Sequence, residues 1–376
     1  MNILIFSVSI GNGHDQVACT LRNEFIRADK NCRVKIINTI KFISPFLDKV
    51  ILDSYLNILK FYPKAWGKIY KKTNKLDPII DINDITNKLM KGKIQKSINS
   101  FIPDVIICTH SFPSSIISNL KQKRMKDMPL ISIITDYNIH TSYINENTDY
   151  YVIPHENLTY IMEDFGVESS KILPLGIPIR KEFNQNIDKE TVNQKYNLNN
   201  KKTVLVMGGG LGLGKIYNIV SALDKKLQNV QIIAVAGRNT RLEQKLNSMT
   251  TNNKLVVFGF INDIHELMEV ADCIITKPGG VTTAEILSKQ KPLIIFSPLP
   301  GQEYENAEFL LNTGVAVATS EVKKIPVLIN QMLNFDVRLK SIHEVTGYLK
   351  KPNAASDIVK FILDRYSKHS LPISKL

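Results

Sequence analysis

The chain is poor in cysteine, and the four it has, Cys19, Cys32, Cys108 and Cys273, share no short spacing. No disulfide frame or cysteine zinc site can be drawn from them. Two sit inside the apolar runs "DVIICTH" and "ADCIIT", where buried thiols of a reducing compartment are found. Long apolar runs are missing as well: none reaches the roughly 18 residues of a spanning helix. The apolar N-terminus has no basic flank and is interrupted by Gly11, so no leader is expected and a cytoplasmic location is. Neither an Asp-x-Asp pair nor a closely spaced histidine pair occurs, which leaves no metal constellation. Low-complexity tracts are absent too. With 44% hydrophobic and 22% charged residues the composition is that of a folded globular protein.

What is present is a succession of short, continuously apolar runs separated by longer mixed segments. They read "NILIFSV", "RVKIINTI", "DVIICTH", "LISIITD" and "YYVIPH", then "KTVLVMG", "QIIAVAG", "LVVFGF", "CIITK" and "PLIIFS". Runs of this kind fit strands buried on both faces of parallel sheets with crossover helices, an α/β architecture. A length of 376 residues suits two such domains. "NILIFSVSIGNGHD" and "KTVLVMGGGLGLGK" both read strand, glycine loop, helix, an internal echo that two tandem doubly wound domains would produce. The expected division is a first domain over 1–180, a polar asparagine-rich linker over 181–200, a second domain over 201–350, and a C-terminal helix and tail over 351–376.

Charge is uneven. Of the net +13, six lysines fall between residues 54 and 76 with no acid and five aromatics among them. Tyr55, Leu59, Tyr62, Trp66 and Tyr70 keep helical spacing, broken by Pro63. Such a segment suits nucleic acid or an anionic membrane surface, with a solvated lysine face over ordinary core aromatics as the alternative.

Four glycine-containing turns lead from strands toward helix starts. "GGGLGLGK" (208–215) offers backbone N–H groups to a phosphate, but Ile216 stands where a Walker loop needs Ser or Thr. A dinucleotide fingerprint there lacks its acidic partner and leaves only Arg238 for an NADP phosphate. "KPGGVTTAEIL" (277–287) places Glu285 where it can accept from a ribose diol, although Thr282 and Glu285 also have capping-box spacing. "PLPGQEYENAEF" (298–309) offers Gln302, Glu303 and Asn306 to sugar hydroxyls, while early acids also complement a helix dipole. His14 follows the first turn, "SIGNGH". A helix start disfavours a second positive charge by about 0.3–1 kcal/mol and so favours a neutral, proton-accepting imidazole; the alternative is a histidine that only finishes the turn.

Taken in order, "SIGNGH", "YPKAWGKIY", "PDVIICTHSFPSS", "TDYNIHTSYINENTDYYVIPHE", "ILPLGIPIRKEF", "VLVMGGGLGLG", "FGFINDIHELMEVADCIITKPGGVTTAE" and "PGQEYENAEFL" resemble the monogalactosyldiacylglycerol synthase and processive diacylglycerol glucosyltransferase family, relatives of the peptidoglycan GlcNAc transferase. The resemblance runs from about residue 3 to 350. It implies a GT-B glycosyltransferase, with two Rossmann-like domains facing a cleft. The implied reaction moves a hexose from a UDP-sugar to the hydroxyl of diacylglycerol with inversion, at the cytoplasmic face of the membrane and without a metal or other cofactor. Glucose is the expected hexose, since the chain looks bacterial and shows no transit peptide.

Carried over by position, the resemblance makes His14 the group assisting acceptor deprotonation, with Asp136 and His140 in a cleft-facing segment. Gly208, Gly209 and Gly210 fall near the pyrophosphate, Phe260 beside the uracil, and Gly279, Gly280 and Thr282 in a second phosphate-side turn. Glu285 falls on the ribose, and Gln302 and Glu303 on the donor sugar. Tyr55, Tyr62, Lys64, Trp66, Lys68, Tyr70, Lys71 and Lys72 become the membrane and acceptor docking segment. Nucleic acid is not an expected partner. Asn12, Asp15 and Tyr143 depart from the family pattern, and Asp15 is expected to act on the charge of His14. The alternatives are a different lipid-linked or small-molecule acceptor, an NADP oxidoreductase using Arg238, and a catalytically silent binding module.

Overall fold

The computed structural model describes residues 1–9, 13–44, 67–68 and 84–367. Its contacts divide the chain into two units, one of residues 1–180, 300–302 and 351 onward, the other of 181–299 and 303–350.

The first unit is built on six parallel strands: β1 (Asn2–Ser7), β2 (Arg33–Asn38), β3 (Val105–Cys108), β4 (Leu130–Ile133), β5 (Tyr150–Val152) and β6 (Ile172–Leu173). They lie in the order β2-β1-β3-β4-β5-β6. Ile3, Leu4, Ile5 and Phe6 of β1 are fully buried, as are Val105 to Cys108 of β3. Whereas β2 at the sheet edge keeps Arg33 and Lys35 exposed, alternation is absent along β1 and β3, as in parallel strands covered on both faces. Each such burial contributes up to about 1.5–3 kcal/mol. The order reverses between β1 and β3: the chain runs outward to β2, then returns to the other side of β1.

The second unit repeats the plan with β7 (Lys202–Met207), β8 (Val230–Val235), β9 (Lys254–Phe258), β10 (Cys273–Thr276), β11 (Leu293–Phe296) and β12 (Ala316–Thr319). All are parallel, in the order β12-β11-β10-β7-β8-β9, with the reversal between β7 and β10. In such sheets ligands bind outside the carboxyl ends of the strands at the reversal. That locates one candidate edge in each unit before any side chain is considered.

Residues 181–200, expected as a linker, are folded against the second unit. Phe183 is buried with its ring edge-on to His265. The short helix Lys189–Lys195 is held by Lys195, 2.7 Å from Glu266, and by the Tyr196 hydroxyl, which donates to the same carboxylate at 2.6 Å. Polar composition here reflects paired surface residues, not freedom. Conversely, the helix Ala354–Tyr366 belongs to the first unit and packs on the helix Gly13–Ala28. Lys351 anchors its start to Glu156 at 2.6 Å. Phe361 meets Tyr150 edge-on at 5.0 Å.

Candidate active site

His14 is the second residue of the helix Gly13–Ala28, which leaves the carboxyl end of β1. Its neighbours come from β3 and β4. Nδ1 lies 2.7 Å from the carbonyl of Thr109 and 3.1 Å from the Thr135 hydroxyl, and the ring meets His110 edge-on with centroids 4.6 Å apart. A carbonyl can only accept, so the Nδ1 proton is donated to Thr109 and the lone pair is left on Nε2. Burial lowers the His14 pKa; Asp136, the Thr109 carbonyl and, least, Asp15 act in the opposite direction. Asp15, expected to act on the histidine's charge, has a larger structural part: its carboxylate accepts from the hydroxyls of Ser7 and Ser9, and Asn38 in turn donates to Ser9. The loop end that carries His14 is thereby tied to β1 and β2.

The other histidines at this edge have the opposite tautomer. His110 caps the helix Ser111–Arg124 by accepting the Phe112 N–H at Nδ1, 3.0 Å away. His140 accepts from Ser142 N–H at 3.1 Å, and His155 from Asn157 N–H at 3.2 Å. In each of these three the ring proton sits on Nε2, so His14 differs from them in presenting a bare Nε2. Asp136 is partly exposed and its charge reaches His14, whereas His140 is buried and serves as the cap of the short turn Thr141–Tyr143. Thr109, Thr135 and His110 were not singled out from the sequence; the signals available were "CTH" and "ITD" at the carboxyl ends of two strands.

Burial and the neighbouring His14 hold the His110 pKa well below 6.5. The folded state therefore binds fewer protons than the unfolded chain below about pH 6.5, and stability is lost as pH falls through that value. Thermal melts should show H110N, which keeps a capping acceptor, with a smaller drop in Tm between about pH 7.5 and 5.5 than wild type. An identical drop would remove His110 as the source.

In the second unit the loop 208–215 leaves β7 and enters the helix Ile216–Lys226. Gly208 packs beneath the loop, where a Cβ would lie 2.5 Å from Ile216; Gly209 borders open space, and Gly210 accepts the Arg238 N–H at 3.0 Å. Glycine is required at 212, with φ +60° and a Cβ position 1.9 Å from the Ala236 carbonyl, and at 237, with φ +57° and a Cβ position 2.7 Å from the Gly209 and Gly210 carbonyls. The β10 exit forms a second turn. The helix Gly280–Ser288 starts after Gly279, and no side chain caps it. Thr282 is thus its third residue and Glu285 its sixth, so the T-x-x-E spacing is not a capping box. The uncapped first N–H groups of this helix are donors an anion can use. Thr282 and Glu285, three apart, share a helix face, with Glu285 buried.

Gln302 and Glu303 begin the helix Gln302–Asn312. Glu303 is already engaged by its own loop: it accepts the Leu299 N–H at 2.7 Å and lies 3.8 Å from Lys277. Asn306, fully buried, donates to the Pro278 carbonyl at 3.0 Å and so ties this helix to the Gly279 turn. Lys277 is a basic group of this edge that the sequence did not mark. Phe260, two residues past β9, is 53% exposed. Of the docking segment, Lys68 is described and exposed; Tyr55, Tyr62, Lys64, Trp66, Tyr70, Lys71 and Lys72 lie outside the described residues.

Twofold use of a parallel sheet, with the candidate groups at both reversal points, is the plan of the GT-B glycosyltransferases. The solved structures agree: Acinetobacter baumannii MurG superposes with a TM-score of 0.64 at 14% identity, over 96% of this chain and 99% of that one. A Staphylococcus aureus MnaA–UDP structure does so with 0.65 at 13%, over 100% and 98%. Residues 14–179 match the monogalactosyldiacylglycerol (MGDG) synthase family, and 203–346 the glycosyltransferase family 28 C-terminal domain. The processive diacylglycerol beta-glucosyltransferase of Bacillus licheniformis is 30% identical over 97% of this chain and 95% of its own length, and that of Bacillus cereus strain B4264 is 32% identical over 96% and 93%. The chain belongs to the monogalactosyldiacylglycerol synthase and processive diacylglycerol glucosyltransferase family.

Proposed function

We propose that the protein transfers a hexose, glucose in the first instance, from a UDP-sugar to the hydroxyl of diacylglycerol at a membrane surface, with inversion at the anomeric carbon. The observation that carries the reading is the tautomer of His14. An acceptor alcohol must lose its proton as it attacks, and a neutral, buried imidazole with Nδ1–H committed to Thr109 offers Nε2 as the base. The charge gathering on the departing diphosphate is met, on this reading, by the open glycine loop, the uncapped helix at Gly280 and Lys277. These groups supply the stabilisation without calling on a metal. Purified protein incubated with diacylglycerol in anionic liposomes and with each UDP-hexose separately is expected to yield a hexosyl lipid from UDP-glucose by mass spectrometry. Proton NMR of the product should show a β anomer. No lipid product from any UDP-hexose, or an α anomer, would reject the corresponding part of the proposal.

Among the described residues no helix is long and apolar enough to cross a membrane. Attachment then falls to residues 54–76 with their six lysines. At about 1 kcal/mol for each lysine near an anionic surface they give reversible binding that weakens as salt rises. A variant carrying K64S, K68S, K71S and K72S should co-sediment less with anionic vesicles than wild type while keeping activity on a detergent-dispersed short-chain acceptor. Equal sedimentation would make the aromatics of this segment core packing instead.

A further inference from the structure

At the carboxyl edge of the second sheet, the loop after β8 is stapled to the glycine loop twice: the Arg238 N–H donates to the Gly210 carbonyl at 3.0 Å, and Asn239 Nδ2 to the Gly212 carbonyl at 3.2 Å. Ala236 N–H donates to Phe258 at the end of β9, at 2.8 Å, which fixes the same loop to the next strand. The Arg238 side chain then reaches across to Phe260 and lies over its ring, 5.1 Å from the centroid. Both residues are exposed. The guanidinium carbon over the aromatic face, on a backbone pinned at both sides, sets a planar cation and a ring together beside the glycine loop.

We propose that Arg238, not a ligand for a 2′-phosphate, is the stacking platform for the base of the donor nucleotide, with Phe260 as its backing. The proposal rests on the UDP-sugar reading and adds to it a residue and its contact. The phosphates have donors of their own in the glycine loop and at the uncapped helix after Gly279. A planar heteroaromatic base needs instead a flat partner, and stacking on a guanidinium backed by an aromatic ring supplies it.

Titration of wild type, R238A and R238K with UDP, UMP and uridine, the last by displacement of UDP, tests this. R238A should weaken all three ligands by the same factor, about tenfold, because the lost contact is to the group they share. R238K, which keeps the charge and loses the plane, should behave like R238A. A loss confined to UDP and rescued by R238K would mean a diphosphate contact and would overturn the assignment. So would equal affinity of R238A and wild type. If wild type itself failed to bind UDP, the glycosyltransferase reading would fall together with this one.

Discussion

Replacing His14 with alanine is expected to lower kcat about 100-fold while changing UDP affinity less than twofold. On the proposed mechanism Nε2 gains its proton only as the acceptor oxygen attacks the anomeric carbon, so its removal should leave donor binding intact. The surroundings suit that sequence of charge. Burial keeps the free ring neutral, and once a proton arrives Asp136 and the Thr109 carbonyl favour the imidazolium. The lowered pKa also sets the sign of the pH dependence. A base that is neutral below its ordinary 6.5 should hold kcat/KM level as pH falls through that value, with the acid limb appearing lower still. Single-turnover rates of H14A and wild type, with melts to confirm folding, check the first part, and a pH–rate profile the second. Wild-type turnover in H14A would make His14 a residue that only finishes a turn.

Much of the fold was readable because burial on both faces leaves a continuous apolar run. Each of the ten runs quoted from the sequence contains or overlaps one of the strands of the two sheets. Strand order was not readable. That β3 returns beside β1, and β10 beside β7, is a long-range fact which places His14 next to Thr109, 95 positions away. Composition misled at 181–200, where polarity and asparagine suggested a linker. Lys195 there has its partner Glu266 far along the chain, and no local pattern shows it. Spacing misled at Thr282 and Glu285, since a capping box depends on where the helix begins and the Pro278–Gly279 turn starts it three residues earlier. Arg238 was visible as a cation after a strand, but the ring beneath it belongs to another loop.

With the capping-box explanation gone, Glu285→Gln becomes a sharper experiment. The carboxylate is 5% exposed, inside an uncapped helix on the face it shares with the half-buried Thr282. A vicinal diol offers two O–H donors at the spacing of one carboxylate. The amide of Gln keeps the shape, retains one acceptor and loses the charge. UDP affinity is therefore expected to fall by about 10- to 150-fold, the equivalent of roughly 1.5–3 kcal/mol for hydrogen bonds to a charged group. Glu285 also has interactions within the fold, so a melt must accompany the titration. The separating measurement is a double-substitution cycle with 2′-deoxy-UDP as the second change. If Glu285 holds the ribose, wild type should discriminate strongly between UDP and the deoxy ligand and E285Q only weakly, because the mutation and the missing hydroxyl delete the same contact. If the carboxylate only supports the helix, both proteins should lose the same factor on removal of the hydroxyl, and the effect of E285Q should appear in the melting temperature with that discrimination intact.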